Sequence, residues 1–149
     1  VIHLGFTGTR HGLSQHQGRK VADLVDSLGA DVIAHHGCCV GADEDFHAIC
    51  RERRLRVIGH PGPGWPDGEL CARVVCDETL DPQPYMVRNT AIVVASQAMI
   101  AAPLEAQPRL RGGTWATIRM ARAALKAYQL QTLYVVGRDG QLLDHGAWP

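Results

Sequence analysis

Short apolar runs that break at a glycine turn and pass straight into an amphipathic helix recur along this chain, and no other feature restricts its fold as strongly. The sharpest case begins with Asp31-Val32-Ile33-Ala34. It leads into His35-His36-Gly37-Cys38-Cys39-Val40-Gly41-Ala42-Asp43, after which Phe46, Ile49 and Cys50 recur at helical spacing. Glycine in such a turn supplies positive φ and lets the backbone approach a ligand, while the first free N–H groups of the helix attract an anion. Gly37 and Gly41 therefore mark a candidate binding turn.

Two further turns have the same character. Ile2-His3-Leu4-Gly5-Phe6 runs into Thr7-Gly8-Thr9-Arg10, where hydroxyls, free N–H groups and a guanidinium fork are the donors that phosphate oxygens need. Ser14 and Gln17 follow as a capping-box pattern. Val21, Leu24, Val25 and Leu28 then give a helix with one apolar face, closed by Gly29. Towards the other end, Ala98-Met99-Ile100-Ala101-Ala102 reads as a buried strand stopping at Pro103, and Arg111-Gly112-Gly113-Thr114-Trp115 as the third turn. Thr114 is the expected N-cap of a helix presenting Ile118, Ala121 and Leu125. Thr132 to Val136 is the last clear strand, with a short edge strand expected within residues 141–149.

The middle is less regular. Leu55-Arg56-Val57-Ile58-Gly59 is a third strand entering a Pro/Gly loop, His60 to Gly68, from which Trp65 either covers a ligand in the crevice or pins its own loop. Residues 69–84 show no clear period, and Arg73-Val74-Val75-Cys76 is their one candidate strand. Tyr85 to Ala95 suits helix or strand by composition. Its close succession by Ala98–Ala102 decides for helix, because adjacent parallel strands need a long crossover.

A chain of 149 residues fits one domain with a real core. Its formal net charge of zero argues against a broad nucleic-acid or anionic-membrane surface, so nucleic acid is not the favoured partner. Five cysteines without a C-x-x-C pair make a poor disulfide framework, and a reduced, cytoplasmic protein is expected. No apolar run approaches the roughly 18 residues of a membrane span. Strands alternating with helices mean βαβ units. The expected class is therefore α/β, a single Rossmann-like doubly wound domain over residues 1–149 with a mainly parallel sheet. Ligands of such sheets bind beyond the carboxyl ends of the strands, where all three glycine turns fall. No Gly-x-Gly-x-x-Gly fingerprint or Walker loop is present, so the expectation is a phosphorylated ligand outside ordinary dehydrogenase or ATPase chemistry.

Gly8-Thr9-Arg10, then Gly41-Ala42-Asp43 with His47 one helical turn on, then Arg88-Asn89, then Gly112-Gly113-Thr114-Trp115 stand in the order seen in the SLOG superfamily. That superfamily joins the DNA-processing (DprA/Smf) Rossmann-like domains and the lonely-guy nucleotide phosphoribohydrolases. The chain most resembles the DNA-processing side, whose Gly-Ile-Asp-x-x-x-His and Arg-Asn-Arg elements are similar to Gly41–His47 and Arg88-Asn89. The phosphoribohydrolases carry Pro-Gly-Gly-x-Gly-Thr-x-x-Glu, but here Arg111 replaces the proline and Arg119 or Met120 stands near the glutamate's place. Their catalytic acid is not carried over. The resemblance implies a nucleotide or nucleotide-sugar ligand, bound as by a sensor or a hydrolase. Nucleotide N-glycosidic cleavage and single-stranded DNA binding are the alternatives. A homodimer is compatible with it, and no resident cofactor is implied.

The candidate binding residues are thus Gly8, Thr9, Arg10, Gly37, Gly41, Arg88, Asn89, Gly112, Gly113, Thr114 and Trp115, the last by stacking on a base or else by packing on the sheet. Asp43 is the candidate catalytic carboxylate, kept ionised by the helix N-terminus so that it accepts ribose hydroxyls or stabilises positive charge developing on a sugar. Its neighbours Glu44 and Asp45 are explained by the helix dipole alone. A metal site among His35, His36, Cys38, Cys39, Asp43 and His47 is disfavoured, because adjacent strand residues face opposite sides and Asp43 with His47 makes half a site. A nucleophilic Cys38 or Cys39 is disfavoured against an apolar packing role.

Overall fold

Every residue of the strand Ala98–Ala102 is buried, the state of a strand covered on both faces, and its side chains divide two cores between them. Ala98, Ile100 and Ala102 belong to one core, Met99 and Ala101 to the other. The computed structural model describes residues 1–149. Its strands are β1 (Ile2–Gly8), β2 (Val32–His36), β3 (Arg56–Gly59), β4 (Glu78–Thr79), β5 (Ala98–Ala102) and β6 (Thr132–Val135). They form one sheet in the order β4-β3-β2-β1-β5-β6, and all neighbours are parallel. The helices are α1 (Gln15–Ser27), α2 (Ala42–Glu52), α3 (Tyr85–Ala95) and α4 (Gly113–Lys126).

The capping box forms as its residues require: Ser14 Oγ accepts the Gln17 N–H and Gln17 Oε1 accepts the Ser14 N–H, both at 3.0 Å. Val21, Leu24 and Val25 of α1 meet Phe46 and Cys50 of α2 over Leu4, Phe6 and Val57. The rings of Phe6 and Phe46 stack with centroids 4.3 Å apart. On the opposite face, Ile92 and Val93 of α3 join Ile118 and Ala121 of α4 over Met99, Leu133 and Val135. Burying each large aliphatic chain contributes about 1.5–3 kcal/mol, so both helix pairs are held by their apolar stripes. Gln17 is fully buried, and its Nε2 donates to the carbonyls of Pro103 and Val136 at 3.0 Å, which ties α1 to the ends of β5 and β6.

The chain builds outward from β1 to β4, then α3 carries it back to β5 on the other side of β1. The switch point of the sheet therefore lies between the carboxyl ends of β1 and β5.

Three local expectations need correction. Residues 73–76 do not form a strand. Pairing begins at Glu78, because the Asp77 side chain takes the Val57 N–H at 2.8 Å and the Asp77 N–H bonds the Val57 carbonyl at 2.9 Å. Thr114 is not the N-cap of α4. That position is Gly112, at φ 111, a conformation that disfavours a side chain. Residues 141–149 contain no edge strand: one antiparallel bridge, Val136 to Leu142, is followed by a 3-10 turn at His145–Ala147.

Candidate ligand-binding site

The amino ends of α2, α3 and α4 converge on the switch point and surround a cavity of about 360 Å³, within the usual range for small-molecule sites. Its floor is Phe6, Thr7 and Gly8 of β1; its walls include Gly37, Cys39 and Asp43, then Tyr85, Arg88, Asn89 and Ile92, then Gly112, Gly113, Thr114 and Arg119. Arg10 reaches it from the first turn, and its side chain hydrogen-bonds to no protein group.

The first two turns interlock. Gly41 has φ 90, and a Cβ there would overlap the Arg10 carbonyl group, so only glycine lets the two loops meet. The Thr9 carbonyl accepts the Ala42 N–H at 3.0 Å across the same junction. Thr9 is itself buried, and its hydroxyl accepts the His11 N–H at 3.2 Å, so it holds the loop and lines an adjoining groove, not this cavity. Gly41 likewise acts through backbone shape; it is not among the cavity-lining residues.

Asp43 is the second residue of α2, and its Oδ2 turns back to accept the N–H groups of Gly37 and Cys39, both at 3.1 Å. Its Oδ1 bonds to no protein group, and Asp43 is one of the residues that line the cavity. The expectation that the helix end governs this carboxyl needs correcting. Burial pushes its pKa above the usual carboxylate value, opposed by His36, the two N–H bonds and Arg88.

Arg88 pins the site. Its guanidinium, 6 % exposed, donates from Nη1 to the carbonyls of Gly37 and His60, and from Nε to Asn89 Oδ1 at 2.7 Å. It lies 5.3 Å from the centre of the Tyr85 ring. Arg119 donates to the carbonyls of Arg109 and Leu110, which folds the third loop over the cavity. Arg10, Arg88 and Arg119 outnumber the single lining carboxylate, so the cavity favours an anion. The Cys39 thiol is raised by burial and then by Asp43, leaving it a protonated, poor nucleophile.

Neither tryptophan lines the cavity, which for Trp115 leaves the packing alternative. Trp115 is 2 % exposed, packs against Trp148 with centroids 5.2 Å apart and donates its indole N–H to Glu105 at 2.8 Å. It packs in the α4 core and offers no face to the cavity. Trp65 lines a different groove with Val40, Asp67 and Cys71.

Sequence reasoning missed Arg119 as a cavity residue, Tyr85 beneath Arg88, and a histidine relay behind the site. His3 Nδ1 meets His35 Nε2, and His35 Nδ1 meets His60 Nε2, each at 2.8 Å. Burial and neighbouring histidines lower both His35 and His60 to about 4. The signal for Arg119 was its place nearly two turns into α4 after the glycine pair.

The fold is of the Rossmann-like α/β class, with an all-parallel sheet. No protein-family profile and no curated protein matches the chain. Solved structures do. The molybdenum cofactor binding protein from the phototrophic bacterium Rippkaea orientalis superposes with TM-score 0.64 at 16% identity, over 91% of this chain and 76% of that one. The structural-genomics target TM1055 superposes with TM-score 0.56 at 16% identity, over 83% of this chain and 69% of its own. These likenesses establish the fold. No helix is long and apolar enough to cross a membrane.

Proposed function

We propose that the protein binds a phosphorylated, ribose-containing nucleotide or nucleotide-sugar in the crevice between β1 and β5. The observation that carries this reading is the pairing, in one cavity, of an unengaged Arg10 guanidinium with Asp43, whose Oδ1 bonds to no protein group. Arginine and the α4 glycine turn suit phosphate oxygens, whereas a carboxylate suits ribose hydroxyls. Binding without turnover is favoured over N-glycosidic hydrolysis, because Arg119 faces the cavity near the place where the phosphoribohydrolases carry glutamate. A guanidinium cannot act there as an acid or base at neutral pH.

The test is thermal stabilisation by a panel of nucleoside phosphates, NAD and ADP-ribose, with chromatography for released base. The molybdenum cofactor joins the panel because the Rippkaea protein is named for binding it. A ligand at a hundred times its Kd stabilises by about 2.7 kcal/mol. Asp43→Asn should abolish stabilisation by ribose-containing ligands and retain the fold, since asparagine keeps an oxygen for the Gly37 and Cys39 N–H groups. Stabilisation by single-stranded DNA alone, falling steeply with salt, would overturn the reading.

A further inference from the structure

On the other side of the Gly37 turn from the cavity, three side chains bring metal-ligating atoms together and a fourth, Cys38, lies beside them. His36 ends β2, His47 lies one turn into α2, Cys38 is in the turn between them, and Cys76 arrives from the loop before β4. The ligand atoms of His36, His47 and Cys76 all lie within 4.8 Å of one another. His36 Nε2 is 2.9 Å from His47 Nδ1 and 3.8 Å from Cys76 Sγ. The two sulfurs flank Gly59: a Cβ built there would stand 2.6 Å from Cys38 Sγ and 2.9 Å from Cys76 Sγ. Only a residue without a side chain leaves them this space.

We propose that His36, His47, Cys38 and Cys76 form a binding site for a zinc-type divalent ion. Zinc takes sulfur at about 2.3 Å and nitrogen at about 2.0–2.1 Å, so a tetrahedral site spaces its ligand atoms about 3.3–3.8 Å apart. The two His36 pairs, at 2.9 and 3.8 Å, bracket that interval, while Cys38 Sγ, which faces Cys76 Sγ across Gly59 outside the three-atom group, has to turn inward to complete the tetrahedron. Two thiolates with two imidazoles select a borderline-soft metal and disfavour calcium or magnesium, which need oxygen. Cys38 supplies an independent indication. It sits at φ 55, in the left-handed region that disfavours a residue with a side chain. Such strain gathers at ligand-holding positions.

Binding follows a simple proton balance: the ion enters and the two thiol protons leave to solvent. His36 Nδ1 accepts the Cys38 N–H at 3.0 Å, which puts the metal-free ring proton on Nε2. That proton shifts to Nδ1 as the ion takes Nε2, and the Cys38 peptide turns aside. The ion then ties the strand end, the helix and the Cys76 loop together behind the Gly37–Asp43 turn. The site is independent of the nucleotide reading, because none of these four side chains lines the cavity.

The experiment is cobalt titration of chelator-treated protein, with zinc as competitor. The expected result is one cobalt per chain, a thiolate-to-cobalt charge-transfer band with intense tetrahedral visible bands, and displacement by one zinc. Cys76→Ser and His47→Gln each lose those bands, while Cys71→Ala keeps them. Circular dichroism checks that the variants fold. Should they not, zinc protection of Cys38 and Cys76 against alkylation in the unaltered chain, read by mass spectrometry, decides the matter. Absent bands, bands that survive both ligand substitutions, or unprotected thiols would overturn the site. Failure of Arg10→Ala or Asp43→Asn to affect nucleotides would leave it standing.

Discussion

Replacing Arg88 by methionine removes a buried guanidinium from the centre of the site with little change in side-chain length. Its departure leaves the His60 carbonyl and Asn89 Oδ1 without that donor and the Gly37 carbonyl with only the weak Cys39 thiol. Hydrogen bonds to a charged group are worth about 1.5–3 kcal/mol each. The His60 contact, at 3.3 Å, is long and contributes least. Since the three share one guanidinium and the methionine chain recovers some packing, we expect a loss of about 3–5 kcal/mol, the range for breaking a buried charged contact. In a chain of 149 residues this lowers the melting temperature by roughly 9–15 °C, at about 3 °C per kcal/mol. Urea denaturation followed by circular dichroism measures it directly. Arg88→Lys should recover less than half, because an ammonium cannot span acceptors arranged around a planar fork. A shift of under about 1 kcal/mol in the methionine variant would refute the view that Arg88 ties the Gly37 turn and the His60 loop to α3.

Arg10→Ala should behave oppositely: its melting temperature without ligand stays unchanged because the guanidinium bonds no protein group, while affinity for a phosphorylated ligand falls roughly ten- to a hundredfold. Calorimetric titration separates the two effects, and equal affinity would remove Arg10 from the site. Acid should destabilise the fold through His60. Its value is about 4 when folded against an ordinary 6.5, so the unfolded chain binds the extra proton. Stability is fully present above 6.5 and drains as pH falls towards 4, and His60→Asn should flatten that slope in melting curves recorded across the interval.

The sheet was legible because its grammar is local. Apolar runs, the Ser14–Gln17 capping box and the apolar stripe of α1 each act over a few residues, and the Tyr85–Ala95 ambiguity yielded to a connection rule. Strand β4 was not legible, since its two residues are exposed and its start is set by Asp77 capturing a distant N–H group. Trp115 illustrates a different limit. An aromatic in a first helical turn can point either way, and only the arrival of Trp148 and Glu105 fixes which. The cluster behind Gly37 was rejected from spacing along one segment, because Cys76 reaches it through a loop with no periodic pattern. Convergence of the glycine turns followed from topology, whereas the inward aim of Arg119 required the loop that it holds.

The placement of β1 beside β5 has a consequence for the order in which the molecule acquires its properties. Leu4 pairs with Ala98, so the ladder at the crevice closes a loop containing α1, β2, α2, β3, β4 and α3. Such distant pairings form slowly, because the entropy of closing the loop is lost before the contact rewards it. The first half of the chain can assemble β1, β2 and β3 with their helices and still lack one wall of the cavity. The closed cavity therefore belongs only to the finished molecule.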